Sequence, residues 1–344
     1  MTATLADLPF IYLYFRLDSV EGSVYRSKEQ GQGQPNLLVP NEHRPAVERL
    51  CAAVAAMDAK GIESVLEFEG VRCRLSRQTM AEGERWVCAR RISTTTPVLN
   101  QLGFAPHISA HLHGLGQRDG LILVAGASGQ GKTTTAVALL ADFLTSYGGT
   151  AVTLANPLEY NLQGRHGEKG QCFQFEPELD EDWAACLKRA LSWAPDFIFA
   201  NELRTPRVAE MLIRAATTGH TVITTVDAGT SEDALMEVLL LGEKIMGPSA
   251  RNILAQGLTA LVFQTMKESG PFIRYLFTEE NAPGDPIRTL IREDKVTMMS
   301  TYIDRIAARL GNQPSAPPPL PPLSKMPPLA PGALPPLPPL PRKS

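Results

Sequence analysis

Gly126-Ala-Ser-Gly-Gln-Gly131-Lys132-Thr133 satisfies the pattern GxxxxGK[ST] at every constrained position. The apolar run Leu121–Ala125 leads into it and a helical stretch, Lys132–Ser146, leads out. That strand-to-helix setting is what a phosphate-binding loop requires. Gly126, Gly129 and Gly131 let the backbone curl so that successive N–H groups face one point. The helix N-terminus adds partial positive charge there. Ser128 and Thr134 belong to the same cradle. Lys132 is expected to reach the β- and γ-phosphates of ATP, and Thr133 to ligate Mg²⁺.

Working outward, Thr150–Ala155, Asp196–Ala200 and Thr221–Val226 read as further apolar strands. Helical stretches at Asp182–Trp193 and Arg207–Thr217 lie between them. This alternation predicts an α/β fold, with a parallel sheet covered by helices on both faces. Pro195-Asp-Phe-Ile-Phe-Ala-Asn-Glu202 is an apolar strand that ends in a carboxylate, and Asn156-Pro-Leu-Glu159 follows another strand. Both acids are therefore expected at the C-terminal edge of the sheet, beside the loop. Two carboxylates near a metal-bound triphosphate suit metal binding and activation of a water.

Upstream, Phe10–Phe15, Ser64–Phe68, Val71–Leu75 and Trp86–Ile92 read as strands, and Arg44–Ala59 as an amphipathic helix. Sheet plus helix in this length predicts a small α+β domain, and Thr94-Thr-Thr-Thr-Pro97 reads as a hinge. At the other end, 14 of the 28 prolines fall between Pro314 and Pro341. Such a run holds neither helix nor central strand and is expected as polyproline II. It is either a solvated tail or a docking segment for a proline-binding partner.

The chain has 344 residues, enough for one large or two ordinary domains, and a formal net charge of −3. A charge so near neutrality, with no concentrated basic stripe, argues against direct nucleic-acid binding. No apolar run approaches the roughly 18 residues of a membrane span, so no membrane insertion is expected. The N-terminus lacks the basic region of a secretion signal. The five cysteines form no CxxC pair, and the odd count fits a reduced chain better than a disulfide framework.

The order of motifs resembles one superfamily, the secretion and pilus-motor traffic ATPases of the PilT type, which also takes in DotB-like type IVB secretion and conjugal transfer ATPases. The resemblance rests on GASGQGKTTT (126–135), ANPLEY (155–160), PDFIFANELRT (195–205), TTGHTVITTVDAG (217–229), ARNILAQGL (250–258) and PIRTLIRE (286–293). It implies a RecA-like P-loop ATPase core at 120–311. A smaller PAS-like α+β domain would occupy 1–95, a hinge 96–119 and a disordered proline-rich tail 312–344. By position it makes Glu159 the catalytic glutamate and Glu202 the acid of the Walker B strand and the metal. His220 would sense the γ-phosphate or transmit its loss, and Arg204 would fill the E-x-R slot. The resemblance further implies a homohexamer in which Arg72, Arg74, Arg90 and Arg91 complete a neighbour's site. As residues alone, those four also fit a basic solvent face. Inner-membrane platform proteins would be the partners, and the cytoplasmic side of a bacterial inner membrane the location. The sequence departs from the pattern at Ala155 and Asn156 before the proline, at Asn201 before the Walker B glutamate, and at Asp227 in place of a second histidine. The tetra-cysteine insertion of extension motors is absent, which favours retraction or transfer. A motor is the leading expectation. A nucleotide-binding scaffold with little hydrolysis is the alternative, and a DNA translocase is disfavoured by the charge.

Overall fold

A computed structural model describes residues 3–27, 34–57, 63–92, 95–156, 158–177, 182–267, 270–278 and 284–303. The proline-rich tail and Thr94 of the expected hinge lie outside the described residues. Before residue 93 the elements are β1 (Phe10–Arg16), β2 (Val24–Ser27), β3 (Leu37–Leu38), α1 (Arg44–Ala56), β4 (Glu63–Phe68), β5 (Val71–Thr79) and β6 (Arg85–Ile92). They build an antiparallel sheet in the order β3-β2-β1-β6-β5-β4. The period of two along a strand separates its faces. Leu13, Phe15, Cys73, Leu75, Val87 and Ala89 bury against Val47, Leu50 and Val54 of α1. Cross-strand register places Tyr12 opposite Arg90 and Arg74 opposite Arg90, on the face away from α1.

The second part continues with α2 (Pro106–Gly114), β7 (Gly120–Gly126), α3 (Lys132–Tyr147), β8 (Gly149–Ala155), β9 (Gly164–His166) and β10 (Gly170–Phe175). Next come α4 (Asp182–Leu191), β11 (Phe197–Asn201), α5 (Pro206–Ala215), β12 (Thr221–Asp227), α6 (Ser231–Met246) and α7 (Ser249–Gly257). β13 (Leu258–Lys267), β14 (Gly270–Phe277) and α8 (Pro286–Arg292) complete it. The strand order is β14-β13-β7-β12-β11-β8-β10-β9. The six inner strands are parallel, as the alternation predicts, whereas β14 and β9 run antiparallel at the edges.

All seven residues of β7 are buried, because helices cover both faces of the sheet. Leu121, Leu123 and Ala125 pack toward α4, α5 and α6, and Ile122 and Val124 pack toward α3. Residues 96–119, expected as a hinge, carry α2 and bury Leu99, Leu112 and Leu115 in the α3-side core. Anchored apolar side chains of this kind confine any hinge to the N-terminal end of that segment. The parallel direction of β7, β8, β11 and β12 brings their following loops to one edge of the sheet, and this edge carries the site.

Candidate functional site

The phosphate loop has the backbone that its glycines anticipate. Gly131 sits at φ 81° and Gly126 at φ 150°. A Cβ on Gly126 would fall 2.4 Å from the Gln264 carbonyl, so the close approach of β13 requires glycine there. Gln264 itself is 3% exposed. Its amide donates to the Gln130 carbonyl at 2.7 Å, and its oxygen accepts from the Thr135 hydroxyl at 2.6 Å. The Met266 N–H donates to the Gln130 side chain at 2.6 Å. The loop is thus pinned from β13 by a residue that motif reading passes over, because nothing local to 126–135 points to position 264.

Lys132 opens α3 with its side chain only 9% exposed. Its ammonium donates to the Ala127 carbonyl at 2.9 Å and forms an ion pair with Asp227. Asp227 closes β12, directly opposite Gly126 in register. The Thr133 hydroxyl donates to the Asn201 side-chain oxygen at 3.3 Å, and Thr225 donates to that same oxygen at 2.8 Å. The Thr134 hydroxyl and the Tyr160 phenol lie 2.8 Å apart. Burial raises the Tyr160 pKa, and that hydrogen bond opposes the rise. The phenol therefore stays protonated at neutral pH.

A cleft of about 510 Å³ gathers Ser128, Gly129, Gly131, Lys132, Thr133 and Thr134 of the loop. Glu159, Glu202 and Arg204 also line it. Arg204 holds the Glu202 carboxylate through two nitrogens at 2.7 and 3.1 Å. The Asn201–Glu202 peptide is cis.

Arg74 and Arg90, from the antiparallel sheet, line this same cleft. Arg90 Nη2 lies 3.4 Å from Glu159 Oε1, so these arginines meet the site of their own chain rather than facing only a neighbour's. Arg72 lines an adjoining cavity of about 440 Å³ bounded by Phe10, Ile11 and Ile92, which shares Arg90, Glu159 and Tyr160 with the cleft. Arg91 points to the other face of β6, as the period of two demands. It donates to the Leu5 and Ala6 carbonyls at 3.0 Å and covers the Phe10 ring at 4.7 Å. That side chain fastens the N-terminal segment and does not reach the cleft, although it borders the adjoining cavity.

His220 stands away from the cleft, so of its two expected roles direct contact with the γ-phosphate is the one the geometry does not provide. It precedes β12, and its carbonyl accepts from the Gly120 N–H at the start of β7. Seven strand residues separate it from the phosphate-loop edge, about 20 Å at the usual strand rise. Its ring lies 3.2 Å from the Thr218 hydroxyl and 3.3 Å from the Ala215 carbonyl. The charged side chain that β12 does deliver to the phosphate loop is Asp227, with Thr225 beside it in the cleft.

The oxygen donors of Thr133, Asn201 and Glu202 form a hard set of the kind Mg²⁺ accepts. Among the described residues no three His, Cys, Asp or Glu side chains cluster as a metal cage.

The fold has likenesses among solved structures. A pilus retraction motor, PilT, solved with bound ADP, superposes with a TM-score of 0.68 at 23% identity, covering 87% of each chain. The Legionella pneumophila ATPase DotB superposes at 0.62 and 16%, covering 89% of each. These establish a RecA-like ATPase core beside a smaller α+β unit as the fold. The type IV pilus retraction ATPase PilT of Pseudomonas aeruginosa is 32% identical over 192 residues, 54% of this chain and 53% of the relative. Alignments to other curated relatives span between about a third and a half of their length. Among the described residues no helix is long and apolar enough to cross a membrane. The family model for type II/IV secretion system proteins matches residues 58–296, more than half of the chain, and the chain belongs to that family.

Proposed function

We propose that this chain is an ATP-hydrolysing motor that drives type IV secretion or conjugal transfer, or retraction of a type IV pilus. The observation that carries the proposal is the single cleft in which a complete phosphate loop, Glu159, Glu202 and two arginines from the other sheet converge. In this reading the loop N–H groups and Lys132 bind the phosphates. Thr133 and Glu202 would hold Mg²⁺, which when bound neutralises charge on the β- and γ-phosphates. Glu159 accepts the proton of the attacking water. Arg74 and Arg90 stabilise charge on the transferred phosphoryl group. Because they stand on the antiparallel sheet, they link the state of the nucleotide to the position of that sheet. The same reading includes a two-unit division, with the N-terminal unit moving on a hinge at the start of the 96–119 segment. A homohexameric ring, docking to inner-membrane platform proteins and recruitment through the proline-rich segment complete the proposal.

A second reading, a nucleotide-binding scaffold with weak hydrolysis, draws on the Lys132–Asp227 pair and on Ala155, Asn156 and Asn201 in place of the family's usual residues. Steady-state ATPase measurements on the purified chain separate the two. The motor reading expects Mg²⁺-dependent turnover that Lys132→Ala abolishes, together with a ring seen by light scattering. Nucleotide binding with no turnover at any protein concentration would leave the scaffold.

A further inference from the structure

Asp227 has no part in the catalytic scheme above, yet it makes the most intimate charged contact in the cleft. Lys132 has three N–H donors. One goes to the Ala127 carbonyl and another meets the Asp227 carboxylate. The carboxylate thus offers oxygen to the ammonium where a nucleotide phosphate must. The two partners differ in freedom. The Lys132 side chain is 9% exposed, whereas that of Asp227 is 48% exposed. Lys132 is held by the loop and the start of α3, and Asp227 ends a strand with solvent beside it. When a phosphate arrives, the carboxylate is therefore the group that swings away. Even displaced, its charge remains at the strand end next to Gly126, on the side that the Lys132 ammonium faces. Within the cleft, Arg204 is already engaged by Glu202, and Arg90 by Glu159.

We propose that Asp227 is a built-in competitor for Lys132, a carboxylate latch that nucleotide phosphate must displace and that weakens triphosphate more than diphosphate binding. The inference rests on the reading of this cleft as the nucleotide site. Like charges a few ångströms apart in a partly enclosed cleft repel appreciably, and screening is incomplete there. A diphosphate can bind with the carboxylate only partly displaced. A triphosphate brings a further charged group to the same ammonium.

The test is equilibrium binding of a non-hydrolysable ATP analogue and of ADP, each with Mg²⁺, to the full chain. The variants are Asp227→Asn, Asp227→Glu and Lys132→Ala, and each is checked for an intact thermal transition without ligand. Asp227→Asn keeps the shape and removes the charge. It should tighten the ATP analogue by about tenfold or more, ADP by less than about threefold, and leave Asp227→Glu near wild type. An Asp227→Asn affinity for the analogue equal to or weaker than wild type overturns the latch, since the carboxylate then assists binding. An equal gain for both nucleotides overturns its placement against the terminal phosphate. Lys132→Ala separates the two levels of the argument. Loss of binding in that variant with no gain in Asp227→Asn defeats the latch alone. Wild-type binding by Lys132→Ala defeats the nucleotide-site reading and the latch with it.

Discussion

Gln264→Leu is the perturbation that most directly tests how the phosphate loop is held. The side chain is nearly fully buried; it accepts from the Thr135 hydroxyl at 2.6 Å, donates to the Gln130 carbonyl at 2.7 Å and makes a weak contact to the Met266 sulfur at 3.9 Å. Leucine has similar volume, so the packing of β13 against β7 survives and a cavity is avoided. What is lost is polar. The Thr135 hydroxyl, on a residue 1% exposed, and the Gln130 carbonyl both lose their partner. A buried polar group left unsatisfied costs about 1–3 kcal/mol. Thr135 partly escapes, because a helical threonine can turn its hydroxyl to a carbonyl of the preceding turn. Gln130 is only half-buried, so its carbonyl can turn to water, and the sum is about 1–3 kcal/mol. For a unit of this size that lowers the thermal midpoint by roughly 2–12 °C. The loss should appear in function as well, since the Gln130 carbonyl belongs to the loop whose N–H groups face the phosphates. Thermal melts with and without nucleotide read both effects, and the ligand-induced rise in midpoint should shrink in the variant. Gln264→Glu provides the contrast. It can still accept from Thr135, but it turns an acceptor toward the Gln130 carbonyl and brings negative charge to the loop, so affinity should fall more than stability. A Gln264→Leu protein that melts within about 1 °C of wild type and binds nucleotide equally well would refute the claim that β13 holds the loop.

Three further expectations concern the cleft and the thiols. Glu159→Gln should retain nucleotide binding and lose turnover by about a hundredfold or more, because an amide cannot take the water's proton; normal single-turnover hydrolysis would remove Glu159 from the chemistry. Mixing Lys132→Ala with Arg90→Ala protomers should recover no ATPase activity beyond their sum, since both residues line one chain's cleft; recovery would mean that the arginine serves the neighbour. Burial pushes the Cys73 and Cys172 thiols up to about 12 from 9.0. Both should resist alkylation at pH 8 until the protein is unfolded. Their raised native pKa also means that stability falls as pH climbs past 9, where only the unfolded chain releases those protons; a denaturation midpoint flat from pH 8 to 10.5 would contradict it.

What could be read from the sequence follows what is local. The phosphate loop, β7, β8, β11 and β12 declare themselves because strand, turn and helix signals lie within a few residues of each other. β13 (Leu258–Lys267) carries an apolar run that periodicity alone cannot assign to strand or helix. Its place beside β7 is set by pairing across more than a hundred residues. β9 and β10 are short strands at the far edge of the sheet, and β2 and β3 lie at the edge of the other. Little burial marks them in the sequence. The misplacement of His220 has a different cause. A motif read as a string treats His220 and Asp227 as neighbours, but an extended strand carries its two ends to opposite edges of the sheet. Arg90 and Arg91 show the same limit at shorter range, since adjacent residues on a strand face opposite ways.

On the proposed nucleotide-site reading, the charge pairs in the cleft give an order of events that no motif could give. Each pair joins a cation and an anion of the same chain: Lys132 with Asp227, Arg204 with Glu202 and Arg90 with Glu159. Exposure separates them. The Arg204 side chain is 59% exposed and that of Arg90 41% exposed. Pairs so open to solvent contribute about 0–1 kcal/mol and exchange partners readily. Lys132 is nearly enclosed, and stripping its partner without supplying another anion would leave a buried charge uncompensated. An incoming polyphosphate can therefore draw Arg90 and Arg204 from their carboxylates at little cost. It can take Lys132 only by arriving in the same step as Asp227 leaves. That exchange also frees Glu159 from Arg90, leaving the carboxylate to act as a base. On the proposed reading, the incoming anion favours engagement of the arginines, displacement of Asp227 and release of Glu159 together: the Arg90–Glu159 pair opens at little cost in any state, whereas Lys132 changes partner only when phosphate occupies the loop.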